Sequence, residues 1–261
     1  MLNKALAYTG WALALIFALA IARENHTPQA LAIAPVSSPL AFQPTAPSDR
    51  TTIEEIGDSI TYGADESLSA ERNLNACRGG YRKQIYPWLA AHGYRPVGSV
   101  IAGDGPGWDW HCEGHPGATT ADLAARYPTF DQGIHPDVAL IMIGTNDFGA
   151  DIPLETSMAN MATLWTEIYK QNPSCDLYVS SVIPLYNYDV TPLNAAIAEQ
   201  VELWHARGYH IHFVDMYHLA KLRRFDYAPS GVHPAASGYA KIARVWESTL
   251  ESCRVGRRPT Y

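Results

Sequence analysis

The sequence predicts an α/β fold, a three-layer sandwich in which helices cover both faces of a parallel sheet. Three observations carry that prediction. From residue 51 onward, short apolar runs of strand length alternate with stretches of helical spacing. The run Val138-Ala139-Leu140-Ile141-Met142-Ile143 is apolar throughout, as a strand covered on both faces must be. Composition agrees, with 47% hydrophobic and 17% charged residues in 261, enough for one sizeable core.

Taken in order, residues 53–56 form the first strand. Glu54 and Glu55 interrupt it, a departure from the usual apolar pattern. It ends in the turn-prone Gly57-Asp58-Ser59-Ile60-Thr61-Tyr62-Gly63. Residues 81–91 follow with helical spacing, Ile85, Trp88 and Leu89 on one side. A second strand is expected over 96–101, and a helix from 120, with Thr119 or Thr120 as its N-cap. After the 138–143 strand come helices over 155–170, 193–206 and 236–251, with strands over 177–183 and 212–214 between them. There is no internal repeat.

The N-terminus reads differently. Lys4 precedes an apolar run over residues 5–22, with a small-x-small site at Ala18-Leu19-Ala20. That is the pattern of a signal peptide, and its length also suits an uncleaved membrane anchor. Residues 23–50 are rich in Pro, Ala and Ser, the composition of an extended linker. The foldable domain is therefore expected over 51–255, in a secreted or otherwise extracytoplasmic protein. An oxidising compartment would let Cys77 pair with Cys112 and Cys175 with Cys253, although four cysteines allow three pairings and four reduced thiols are the alternative. A formal charge of −7 with no extended basic stripe argues against a nucleic-acid partner. The clusters at Lys221, Arg223, Arg224 and at Arg254, Arg257, Arg258 read as solvated surface.

Four segments carry chemistry. They are the Ser59 turn, Gly114-His115-Pro116-Gly117, Gly144-Thr145-Asn146-Asp147 and Gly231-Val232-His233-Pro234. In this order they resemble the SGNH (GDSL-type) hydrolase superfamily, over roughly residues 51–250. The stretch from Trp108 to Gly117 is most similar to carbohydrate esterases that deacetylate xylan-type polysaccharides. The resemblance implies a flavodoxin-like sheet and a serine esterase working without cofactor or metal on an acylated carbohydrate or other small ester.

The residue types suit that reaction. Ester hydrolysis needs a nucleophile that loses its proton as it attacks, and donors where negative charge develops. Ser59 is the candidate nucleophile. The backbone N–H groups of Ser59 and Gly117 and the Asn146 amide are the candidate oxyanion donors. His233 is the candidate base, since an imidazole exchanges protons near neutral pH. No Gly-x-Ser-x-Gly elbow occurs, which disfavours the α/β-hydrolase form of this chemistry.

The chain departs from the superfamily pattern at one position. An aspartate is expected three residues before the histidine, and Ser230 stands there. Asp226 could orient the ring, or Ser230 or a backbone carbonyl could do so in a Ser–His dyad. His111, Glu113 and His115 lack His-Glu-x-x-His spacing, so they do not point to a metal. Trp108 and Trp110 are candidates for stacking on a sugar. Two other readings fit the sequence: a lipid- or arylesterase of the same superfamily, and a carbohydrate-binding protein whose catalysis has decayed.

Overall fold

The computed structural model describes residues 50–66, 78–104, 107–130 and 133–254. The expected signal or anchor, most of the linker, Cys77 and the tail after 254 lie outside them.

Strand β1 (Thr51–Gly57) is the axis of the sheet. On one side it runs parallel to β5 (Val138–Met142), from Ile53 opposite Val138 to Gly57 opposite Met142. On the other side its first half pairs with β2 (Tyr94–Val97) and its last two residues with β4 (His111–Gly114), both parallel. Beyond β5 come β6 (Asp176–Ser180) and β7 (Ile211–Val214), again parallel. The parallel order β2-β1-β5-β6-β7 is flavodoxin-like, with chain direction across the sheet reversing at β1.

The expected strand over 96–101 is divided. Gly98 bends the chain at φ 142°, against the backbone of Cys112, where an added Cβ would lie 2.2 Å from the carbonyl. Its second piece, β3 (Val100–Ile101), runs antiparallel to β4. Strand β4 is not legible in the sequence, because four residues reading His-Cys-Glu-Gly lack strand composition.

Helices α2 (Gly80–Ala91) and α8 (Ala236–Arg254) pack together on one face, with the single-turn α7 (Met216–Leu219) against α8. Their core joins Ile53, Ile85, Leu140, Tyr178, Ile242 and Trp246, all nearly or fully buried. Helices α3 (Thr120–Phe130), α5 (Leu154–Gln171) and α6 (Thr191–Ala206) pack in succession on the other. Apolar residues alternate to supply both faces, Val138, Leu140 and Met142 to the first and Ala139 and Ile141 to the second. Among the described residues no helix is long and apolar enough to cross a membrane.

The two glutamates of β1 have separate explanations. Glu54 is fully buried and accepts the Tyr127 hydroxyl at 2.7 Å, from α3. Glu55 faces the opposite side, where Arg82 of α2 provides the opposing charge. The cysteine expectation is corrected: Cys112, Cys175 and Cys253 are free thiols. Cys175 shares the side of Leu177 and Val179, whereas Cys253 packs beside Tyr178 on the other face, so the sheet separates them.

Burial pushes the Glu55 carboxyl from 4.5 up to about 7, against the pull of Arg82. A raised carboxyl pKa means that folding favours the protonated form. That stabilisation is complete below 4.5 and is lost as the pH rises through about 7. Glu55→Gln should therefore raise Tm more at about pH 8 than at about pH 4, relative to the native chain. Equal shifts at both pH values in thermal melts would contradict this assignment.

Candidate active site

The turn after β1 is shaped by what it cannot accommodate. A Cβ on Gly57 would lie 2.3 Å from both the Met142 carbonyl oxygen and Thr61 Oγ1. Without one, the strand passes directly into the single-turn helix α1 (Ser59–Tyr62). Asp58 caps it by accepting the Ile60 N–H at 2.8 Å, and burial pushes its carboxyl up to about 6 against that hydrogen bond. Ser59 is the first helical residue, so its own N–H has no acceptor within the helix.

Three further loops meet this turn at the carboxyl ends of the strands. The loop after β4 is tied to β1 by the His115 N–H, which donates to the Gly57 carbonyl at 2.9 Å. It carries Gly117 at φ 80°, with open space where a side chain would stand. The loop after β5 opens helix α4 (Thr145–Gly149), and there Asn146 Nδ2 donates to the Ala118 carbonyl at 2.8 Å. One amide hydrogen thus joins the Asn146 and Gly117 loops, and the second remains as a donor. Buried Asp147 fixes this arrangement by accepting the N–H and hydroxyl of Thr120 at 2.8 and 2.6 Å and the Ser157 hydroxyl at 2.5 Å.

The loop before α8 brings His233 to Ser59. His233 Nε2 lies 2.8 Å from Ser59 Oγ across 174 residues of sequence, and both side chains are mostly buried. His233 Nδ1 lies 2.7 Å from Oε1 of Glu66, which follows α1. Partial burial raises the Glu66 carboxyl, but hydrogen bonds from Ser230 and His233 outweigh it and hold the group below its ordinary value. An ionised carboxylate only accepts. Nδ1 therefore carries the proton, and Nε2 is left to accept the Ser59 hydroxyl.

The sequence does not single out Glu66. The signal for it is the missing aspartate itself, which leaves an imidazole in need of an acceptor. Ser230 does not orient the ring. Its hydroxyl and N–H both donate to Glu66, so it holds the acid. Asp226 is not at the ring either. Its carboxylate accepts Lys241 Nζ at 2.6 Å and the Arg223 N–H at 2.8 Å, closing a 3-10 turn at Arg224–Asp226.

The two tryptophans differ in exposure. Trp110 is 9% exposed and lies over Gly79 and Gly103, where an added Cβ would come within 2.4 and 2.1 Å of its ring. Its carbonyl accepts Arg82, whose buried guanidinium also donates to the Thr61, Tyr62 and Ala102 carbonyls. Trp108 is half-buried, stacked on Tyr86 and tilted against Trp110. His111 bonds Asp109, while His115 Nε2 lies 2.5 Å from Glu113, which also accepts the Ser99 hydroxyl. Among the described residues no three His, Cys, Asp or Glu side chains are grouped to hold a metal ion.

Comparison with known proteins agrees with this geometry. The profile of the GDSL-like Lipase/Acylhydrolase family matches residues 56–241, well over half of the chain. A multidomain esterase of Ruminococcus flavefaciens is 26% identical over 253 residues, covering 82% of this chain. The chain spans only 31% of the length of that relative. A family 3 carbohydrate esterase of Clostridium thermocellum superposes with a TM-score of 0.66 at 27% identity, over 79% of this chain and 98% of that one. An acetyl esterase variant crystallised with acetate reaches 0.67 at 20% identity, over 79% and 99% of the two chains, a likeness of fold.

A serine held against an imidazole in this way should react with a fluorophosphonate. Labelling is expected at Ser59 and nowhere else after proteolysis and mass spectrometry. His233→Ala should slow it by roughly 100-fold or more, as expected when a positioned base is removed. Asp226→Asn should lower Tm, because Lys241 loses its ionised partner, while leaving the labelling rate close to that of the native chain. A labelling rate that collapses with Asp226→Asn would return Asp226 to the imidazole.

Proposed function

The chain belongs to the GDSL-like lipase/acylhydrolase family, and on that premise we propose that it is an exported serine esterase removing short acyl groups, acetyl foremost, from a carbohydrate. One observation carries the reading: the hydrogen-bonded series Ser59 Oγ, His233 Nε2, His233 Nδ1 and Glu66 Oε1.

The steps follow from that series. Ser59 Oγ attacks the acyl carbonyl and its proton passes to His233 Nε2. Glu66 stabilises the imidazolium that forms and keeps the ring in the tautomer the next step needs. The carbonyl oxygen gains negative charge opposite the Ser59 N–H, the Gly117 N–H and the second Asn146 amide hydrogen. When the C–O bond to the alcohol breaks, Nε2 returns its proton to the departing oxygen, leaving an ester on Ser59. Water then attacks that ester with His233 again as base, and the carboxylate leaves.

The nature of the substrate is supported by the names of the relatives, a multidomain esterase and a family 3 carbohydrate esterase. It is also supported by the loop from Ile101 to Gly117, polar and aromatic rather than aliphatic, which suits a small acyl group better than a long chain. Export rests on Lys4 and the apolar run over 5–22. The decayed-binder reading loses its main support, because the His233 ring meets a carboxylate, that of Glu66, although the expected aspartate is absent.

Acetate release from acetylated xylo-oligosaccharides tests the reading, together with a ladder of acetyl to decanoyl p-nitrophenyl esters. The native chain should turn over acetyl esters fastest. Ser59→Ala should lose on the order of 10⁶-fold in kcat. Asn146→Ala should lose ~100- to 1000-fold, as for one oxyanion donor. A maximum at octanoyl or longer would replace the carbohydrate reading with a lipid-esterase one. Turnover surviving in Ser59→Ala would remove the mechanism itself.

A further inference from the structure

Two exposed aromatic side chains belong to one short turn after β6, Leu185-Tyr186-Asn187-Tyr188-Asp189. Residues 186–189 are all exposed, Tyr186 by 49% and Tyr188 by 45%. Leu185 and Tyr188 form an antiparallel bridge that closes the turn.

This turn is built onto two of the segments that carry the chemistry, those of His233 and Asn146. The Tyr227 hydroxyl donates to the Pro184 carbonyl at 2.6 Å, and the Tyr186 ring stands edge-on to Tyr227 with centroids 5.2 Å apart. Tyr227 pairs in turn with Pro234, next to His233. Tyr186 also lies against Gly231, two residues before His233, where a Cβ would come within 3.1 Å of the ring. The Arg224 guanidinium is 5.2 Å from the same ring, itself held by the Ala228 and Pro229 carbonyls. At the other end Tyr188 packs on Phe148 at 5.5 Å, two residues beyond Asn146. One exposed ring therefore rests on the histidine loop and the other beside the asparagine helix.

We infer that Tyr186, Asn187, Tyr188 and Asp189 form a subsite for the sugar ring of the alcohol that leaves, an inference that rests on the esterase reading above. The departing oxygen takes its proton from His233 Nε2, so the group bonded to that oxygen lies beside the histidine loop, where Tyr186 is placed. A pyranose presents apolar C–H faces and a rim of hydroxyls. Aromatic rings meet the faces, and an amide and a carboxylate meet the hydroxyls. An acyl chain would call instead for continuous aliphatic lining, which this turn lacks. The rings are fixed in advance by Tyr227, Gly231 and Phe148, so little side-chain freedom is lost when the sugar binds.

The test uses Ser59→Ala as an inert binder, titrated calorimetrically with unacetylated xylo-, gluco- and N-acetylgluco-oligosaccharides. At least one series should bind saturably. Adding Tyr186→Ala or Tyr188→Ala should weaken that binding about tenfold or more, as expected when a ring that stacks on the sugar is removed. Tyr186→Phe should retain most of it. In the active chain the same alanine variants should raise KM for an acetylated oligosaccharide far more than for ethyl acetate, whose alcohol is too small to reach the turn. No saturable binding of any series, or equal losses on both esters, would overturn the subsite. Activity surviving in Ser59→Ala alone would instead overturn the esterase reading on which it rests.

Discussion

The parallel pairing of β1 with β5 sets where the loops of the site leave the sheet. With β2 and β4 on one side of β1 and β5 on the other, the chain reverses direction across the sheet at this pair, the place where loops of such sheets diverge and ligands bind. The register places Gly57 opposite Met142, so the Ser59 turn and the Asn146 turn leave the sheet at the same level. Any side chain at Gly57 would have to move the Met142 carbonyl or Thr61. A single absent Cβ thus lets a strand end, a helix begin and a hydroxyl meet His233 within three residues.

The loops of the site are held by buried polar groups rather than by apolar packing alone. Arg82 gathers four backbone carbonyls from α1, the β3–β4 connection and the residue before β4. Asp147 joins α3, α4 and α5. Glu113 holds Ser99 and His115. Buried charges of this kind add little net stability when fully paired, and losing one partner is destabilising by about 3–5 kcal/mol. Their contribution here is position. Each fixes one loop of the site to a neighbouring element, so the proposed oxyanion donors are oriented before a substrate arrives.

Much of this is legible in the sequence because it is written in local pattern. The 138–143 run, the glycine turns and the segments around Ser59, Asn146 and His233 each announce themselves within a few residues. What is not legible depends on distance. Glu66 lies 167 residues from His233 in sequence, and nothing around it distinguishes it from a solvated acid. Asp226 is nearer in sequence, but its turn directs the carboxylate to Lys241. Glu54 and Glu55 look out of place in a strand because their partners, Tyr127 and Arg82, come from different helices on opposite faces. The expected pairing of Cys175 with Cys253 fails for a related reason, since the side of the sheet on which each thiol falls is a property of register rather than of composition. Composition also misleads at Trp110, whose ring is needed to cover two glycines.

Ser59, His233 and Glu66 are brought together here, with the carboxylate supplied by the segment after α1, and the proposed mechanism depends on its charge. The turnover number of Glu66→Gln on p-nitrophenyl acetate is the decisive measurement. The amide keeps the shape and can still take a hydrogen bond from Ser230, but it carries no charge to stabilise the imidazolium. A loss of about 10²- to 10⁴-fold in kcat is the predicted result, approaching the effect of neutralising a triad aspartate. Turnover within about tenfold of the native chain would contradict this assignment and leave a Ser59–His233 dyad that needs no acid.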